Sequence, residues 1–349
     1  MFRAWGGQSL RTSRSRRAYH RGGPEPGAAG GSPMGMRIIT RAPGGGAADA
    51  VSAIVEPYKK IEADGFQSAW IGNHLNHDAM TICALAGQAT STIELGTAIV
   101  PTYPRHPMVM AQQALTTNMV CGGRFILGLG LSHKFIVEDW QGLTWSTPIR
   151  HLREYLEVLN PLLDGDLVNH NGQEYRVHMN NAPFTQLDVP GGGRPKVLIA
   201  ALGPGTLKVT GELADGTSMF WCGPNYIEQT AVPTITKAAD SVGRPAPRII
   251  AGIPISVTNN EEAARASCGK VWEVYGKIYS YRKVIAAEGV SGVAEMAIVG
   301  DEATVRAQLK RLESIGVTDY NGAILPVPED PDAPQRTYEF LKDLNTNGI

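Results

Sequence analysis

The chain has 349 residues, 43% hydrophobic and 19% charged, which suits a globular protein with a large buried core. Its formal net charge of −1 divides into +5 over residues 1–35 (Arg3, Arg11, Arg14, Arg16, Arg17 and Arg21 against Glu25) and −6 over the rest. A mildly acidic body excludes nucleic acid as the main partner, since neutralising phosphates needs clustered Lys and Arg. No apolar run approaches the ~18 residues of a membrane span.

The first 22 residues are arginine-rich and free of acids, superficially like an organellar transit peptide, and Arg16-Arg17 hints at a twin-arginine signal without the apolar stretch that should follow. Two plainer readings stand: a disordered basic tail over 1–35, or a start assigned too early, with the true one at Met34 or Met36. Residues 36–349 then form a single domain. Its four cysteines, Cys83, Cys121, Cys222 and Cys268, are far apart and never form C-x-x-C, as expected of a reduced cytoplasmic protein with buried thiols.

From Arg37 onward, short β-branched runs alternate with helical stretches. Arg37–Thr40 precedes a helix near Ala48–Ala63, Ser68–Gly72 one near Ala79–Thr90, Glu94–Pro101 one over Met108–Val120, and Phe125–Gly130 one over Ile149–Leu163. Lys196–Ala200, Gly216–Trp221, Arg248–Val257 and Tyr320–Val327 supply four more strands. Eight strand–helix units over about 300 residues predict an α/β fold, a closed (β/α)8 TIM barrel. Two segments exceed the plan. A loop over Asp164–Pro195 has hairpin grammar at Leu167–Val177 with Asn171-Gly172 as its turn. The helical segment Glu261–Glu288, with Tyr275, Tyr279 and Tyr281, is longer than a barrel needs, and would cap the barrel or form a subunit contact.

Several strands end in small residues at the carboxyl edge, where ligands of parallel α/β proteins bind. The run Ala200-Ala201-Leu202-Gly203-Pro204-Gly205-Thr206 leads from a strand into a helix. Glycine permits close backbone approach, proline suits the first helical position, and the free amides and dipole favour an anion there. A simple strand–helix turn would use the same residues. Gly128-x-Gly130 lacks the third glycine and distal acid of a dinucleotide fingerprint. No zinc-type spacing occurs, so no metal is expected.

The succession Asn73-His74, LGTAIVP (Leu95–Pro101), YPRHP (Tyr103–Pro107), GGRFILGLG (Gly122–Gly130) and AALGPGTLKVTGELADG (Ala200–Gly216) resembles the bacterial luciferase-like family, and within it the oxidoreductases that use the deazaflavin coenzyme F420. That resemblance covers residues 36–328. It implies a non-prolyl cis peptide at Ala98–Ile99, a bulge that with Val100 and Gly130 backs the cofactor's ring. It also implies a cofactor phosphate at Leu202, Gly203, Gly205 and Thr206, a polar contact at Asn73, and His74 as the proton donor. His77, His106 and His133 compete with His74 for that role on the same face.

The departures narrow the substrate. Relatives acting on sugar phosphates have an acid after their GxG turn, an aromatic four positions after the histidine, and a lysine after the sixth strand. Here those places hold Leu131-Ser132-His133, Asp78, and Phe220-Trp221-Cys222-Gly223-Pro224-Asn225-Tyr226. A sugar phosphate is rejected, and an apolar, aromatic pocket is expected around His133, Trp221 and Cys222. The expectation is a cytoplasmic, homodimeric oxidoreductase moving hydride between F420 and a small apolar molecule. An FMN-dependent monooxygenase and a non-catalytic flavin-binding protein are the alternatives.

Overall fold

Eight of the β-rich runs become the staves of a closed barrel. The computed structural model of the protein describes residues 35–41, 51–179, 189 and 191–349. The expected tail up to Met34 and the expected helix start at Ala48 lie outside the described residues. Strands Arg37–Arg41, Ser68–Ile71, Glu94–Thr97, Phe125–Gly130, Lys196–Ile199, Gly216–Phe220, Arg248–Gly252 and Asp319–Ile324 each run parallel to the next, and the last pairs with the first. Helices between them cover the outside, among them Val51–Ala63, Ala79–Ala89, Pro107–Val120, Pro148–Leu163 and Pro204–Leu213.

Register identifies the inward side chains, because directly paired residues of neighbouring strands point to one face. Trp70 pairs with Gly96 and Gly96 with Ile126; Gly128 pairs with Leu198, Ser218 with Ile250, and Ile39 with Asn321. The inner cluster is Ile39, Trp70, Ile126, Leu198 and Ile250, all buried. Gly96 is small because the Trp70 ring fills its place: a Cβ there would lie 2.3 Å from the ring. Burying such an indole removes on the order of 200 Å² from water, about 5 kcal/mol of apolar stabilisation.

Charge closes the amino end of the barrel. Asp319, fully buried, pairs with Arg37 at 2.7 Å and accepts from Arg248 at 2.9 Å, and Glu94 bridges the same two guanidiniums at 3.2 and 3.0 Å. The interior is thus plugged below and in the middle, leaving the carboxyl end for a ligand.

Four details differ from the sequence expectation. The third strand stops at Thr97 and resumes at Val100–Pro101, which pairs with Leu129 and Gly130. Arg248–Val257 divides at Ile253, and Pro254–Val257 leaves the barrel to pair with Ala323–Ile324 and with an unanticipated strand, Ile298–Gly300. Proline, lacking an N–H, sits comfortably as the first residue of that departing strand. Ile278, extended at φ −80° and ψ 127°, breaks Glu261–Glu288 into helices Glu261–Lys277 and Tyr279–Glu288.

The hairpin forms, but Asn171 pairs with Arg176, so the turn is the four residues 172–175 and not Asn171-Gly172. Glu154 explains this: its carboxylate accepts from the amides of Gln173, Glu174 and Tyr175 at 2.7–3.0 Å and holds the wider turn open. No helix among the described residues is long and apolar enough to cross a membrane.

Candidate active site

Above the Trp70 layer, the inward positions become small. Alternation along the seven strands after the first carries Gly72, Ala98, Gly130, Ala200, Gly252 and Ala323 to the carboxyl end, with Phe220 and Asn321 as larger residues among them. The result is a smooth-walled recess suited to a flat group.

On one side of this mouth the chain bulges. The Ala98–Ile99 peptide is cis, at the position the family resemblance implied. Leu95, Gly96, Thr97 and Val100 are buried, whereas Ala98 and Ile99 are half-exposed, so the bulge is the part of this strand that faces outward from the barrel end. Backbone bonds pin it: Ala98 donates to the Ile71 carbonyl at 2.7 Å, and Asn73 donates to the Ile99 carbonyl at 3.3 Å. Gly130 is small because Ile99 leans across it, with side-chain atoms 2.7–2.8 Å from where a Cβ would be.

His74 stands over the same spot. A Cβ built on Gly72 would meet His74 Nε2 at 2.8 Å and the Ala98 carbonyl oxygen at 3.3 Å. Gly72 therefore leaves the space in which an exposed imidazole and the bulge come together. Asn73 is half-buried and its Oδ1 accepts from the Ala79 amide at 3.0 Å, capping the helix Ala79–Ala89. Its amide nitrogen remains as the donor.

Asp78, four residues after His74, caps the same helix through the Thr81 amide and pairs with Arg105. Burial alone would raise its pKa; the Arg105 guanidinium and Thr81 outweigh that and hold the carboxyl below its usual range. Of the competing histidines, His106 caps the helix Pro107–Val120 through the Met108 amide. His133 lies against Phe135 and Tyr281, and burial lowers its pKa.

Across the mouth, helix Pro204–Leu213 begins. Gly203 is its cap, with φ −95° and ψ 154°. Thr206 Oγ1 accepts from the Gly203 amide at 3.2 Å and donates to the Gly203 carbonyl at 2.9 Å. Leu202 is half-buried and its carbonyl accepts from the Tyr226 hydroxyl. The two glycines differ in their reasons. A Cβ on Gly205 would meet Ile149 Cδ1 at 2.3 Å, so packing explains that residue, whereas nothing lies nearer to one on Gly203 than Thr206 Oγ1 at 3.8 Å.

Three expected site residues lie elsewhere than anticipated. Val100 is fully buried in the outer core. Trp221 and Cys222 are buried at 0% and 1% exposure, so neither presents a side chain to the mouth. Trp221 adopts φ 55°, and Ser132, the other described non-glycine with positive φ, has φ 65°. Both follow the last residue or two of a barrel strand, and such left-handed residues cluster at functional sites. The turn drives Trp221 into a second core of Tyr281, Cys268, Met296 and Val299. Its ring meets Trp272 at 5.9 Å, and half-buried Phe220 packs on the same cluster, 5.4 Å from Trp272. Burial pushes the Cys222 thiol far above its usual pKa, which makes it unreactive.

One functional element was not anticipated. Buried Glu288 accepts from the Asn225 and Tyr226 amides at 3.2 and 2.9 Å. It thereby ties the helix Tyr279–Glu288 to the loop after the sixth strand, and through Tyr226 to Leu202. An isolated glutamate near a helix end carries no sequence signal of such a role.

Known proteins share this fold. The chain is 29% identical over 297 residues to the 5,10-methylenetetrahydromethanopterin reductase of Methanopyrus kandleri, covering 81% of this chain and 80% of that one. The solved coenzyme F420-dependent tetrahydromethanopterin reductase of the same organism superposes with a TM-score of 0.66 at 24% identity, over 89% of this chain and 97% of that one. The oxygenating constituent of 3,6-diketocamphane monooxygenase from Pseudomonas putida, in complex with FMN, superposes with a TM-score of 0.67 at 14% identity, over 89% and 96%. A family profile described as luciferase-like monooxygenase matches residues 33–319, and the chain belongs to that family.

Proposed function

We propose that the protein is an oxidoreductase that binds coenzyme F420 at the barrel mouth and acts on a small apolar organic molecule. The observation that carries this reading is the meeting of His74 Nε2 with the Ala98–Ile99 bulge over the gap left by Gly72. A flat ring fits a recess walled by Gly72, Ala98, Gly130 and Ala200, and an anionic tail fits the amides of Gly205 and Thr206 at the helix start.

When bound, a deazaflavin supplies a hydride donor or acceptor. The protein's share is orientation, exclusion of water and the proton. The bulge backs the ring. Ile99, Phe220, Leu131 and the His133–Phe135 pair supply apolar surface, and no basic residue lies between Phe220 and Tyr226 to hold a substrate phosphate. His74 moves the proton that accompanies reduction of a carbonyl or imine.

The similarity over four-fifths of the chain to a methylenetetrahydromethanopterin reductase, together with the fold shared with a solved coenzyme F420-dependent reductase, favours F420. The second reading is a monooxygenase using FMN, favoured by the FMN-containing structural neighbour. Titration of dialysed protein with F420 and with FMN, followed by fluorescence, separates them. Preferential quenching of F420 supports the first reading; saturable binding of FMN alone replaces it with the second.

A further inference from the structure

Asn321 is the one amide side chain among the inward-facing residues of the barrel strands. It lies on the last barrel strand, two residues above the buried Asp319 and two below Ala323. Its pairing with Ile39, a member of the inner cluster, turns it into the barrel. The intervening Tyr320 points the other way and donates to the Ile253 carbonyl at 2.6 Å.

The side chain is 2% exposed, and its Oδ1 has no hydrogen-bond partner among the described residues. A buried acceptor left in this state is destabilising, a penalty that a leucine of similar volume would avoid. Next to it in the sheet stands Gly252, and the Phe220 ring lies across that glycine, with Cδ2 3.1 Å from where a Cβ would be. The recess therefore has one polar point on its floor, under the Phe220 ring.

We infer that Asn321 is a ring-recognition residue, selecting a heterocycle that carries an imide edge. A carboxamide can accept through Oδ1 and donate through Nδ2 side by side, and rotation of the amide exchanges the two. That pattern is complementary to a carbonyl flanked by an N–H, the outer edge of the pyrimidinedione ring shared by flavins and deazaflavins. The assignment rests on the proposed function in that it takes the recess to be a ring site, but it applies to F420 and FMN alike.

The test compares lumiflavin with 3-methyllumiflavin, which has the same ring with the imide N–H blocked, in binding to the full chain by fluorescence. Wild-type protein is expected to prefer lumiflavin by about ten-fold, the value of roughly one buried hydrogen bond. Asn321→Leu is expected to bind both alike, with the apoprotein melting at an unchanged or higher temperature because an unsatisfied buried group has gone. Asn321→Ser, which withdraws the amide, should lose the preference too and serves if the leucine variant does not fold.

A preference that survives in these variants overturns the inference, as does a lowered apoprotein melting temperature with the preference intact, which marks Asn321 as structural. If wild-type protein binds F420 or FMN while the preference ignores Asn321, only this inference falls. If it binds neither cofactor and not lumiflavin, the proposed function falls with it.

Discussion

Replacing Gly203 by aspartate separates anion binding from helix capping. Gly203 is the cap of Pro204–Leu213 in an extended conformation open to any residue, and a Cβ there makes only an ordinary contact, 3.8 Å from Thr206 Oγ1. Aspartate is a better cap than glycine by a few tenths of a kcal/mol, and asparagine is its neutral equal. Stability should therefore hold or rise slightly in both variants.

Binding should not. A carboxylate about 5 Å from a phosphate costs about 3 kcal/mol per charge pair at an effective dielectric of ~20. Because Gly203 is half-exposed, solvent screening reduces this to roughly half, about ten-fold in affinity. The assay is a fluorescence titration of wild type, Gly203→Asp and Gly203→Asn with FMN, F420 and riboflavin, the last having no phosphate. Gly203→Asp should weaken whichever phosphate-bearing cofactor binds by about ten-fold relative to Gly203→Asn, with riboflavin unchanged. Equal affinities for the two variants, or an equal loss for riboflavin, would refute the anion site.

Other outcomes follow from the same geometry. His74→Ala should lower turnover by ~10²–10⁴ while cofactor affinity stays within a few-fold; retained turnover with loss in His133→Ala moves the donor to the loop after the fourth strand. Gly72→Ala puts a methyl between His74 and the Ala98 carbonyl, so its turnover should fall and adding His74→Ala should lower it little further; additive losses would separate the two. His151, 4% exposed and bonded to Thr102 Oγ1 at 3.0 Å, has its pKa held down to about 4 by burial. The unfolded chain takes up that proton near pH ~6.5, so the native state loses about 3 kcal/mol between pH ~6.5 and ~4 and nothing above. Melting curves of His151→Asn should fall less steeply over that window than those of wild type; parallel curves would contradict the assignment. Deleting residues 1–33, a segment with too little apolar content to join a core, should leave the yield of folded protein and cofactor affinity unchanged, and loss of folded protein would show otherwise.

The barrel was legible because its signals are local and repeated. Short β-branched runs mark the staves, several of them leading into glycine or alanine, and eight with intervening helices admit few other folds. The strand Ile298–Gly300 escaped notice because three residues carry no period, and it exists only through pairing with Pro254–Val257. The hairpin turn was misplaced because Asn171-Gly172 is a strong local signal that Glu154, from a distant helix, overrides.

The mouth was half legible. His74, Ala98, Ile99 and Gly203 sit at strand ends where the pattern points. Trp221 reads in sequence as a pocket aromatic, yet a left-handed turn sends it into the second core. Asn321 reads as an ordinary polar residue in a strand; only its register with Ile39 places it inside the barrel.

The most direct measurement is a diffraction structure of the protein saturated with F420. The account predicts the deazaflavin ring seated against the Ala98–Ile99 peptide, His74 Nε2 at the reacting side, the ring's imide edge on Asn321, and the phosphate at the amides of Gly205 and Thr206. A ring bound outside the recess, or a phosphate remote from that helix start, would contradict it.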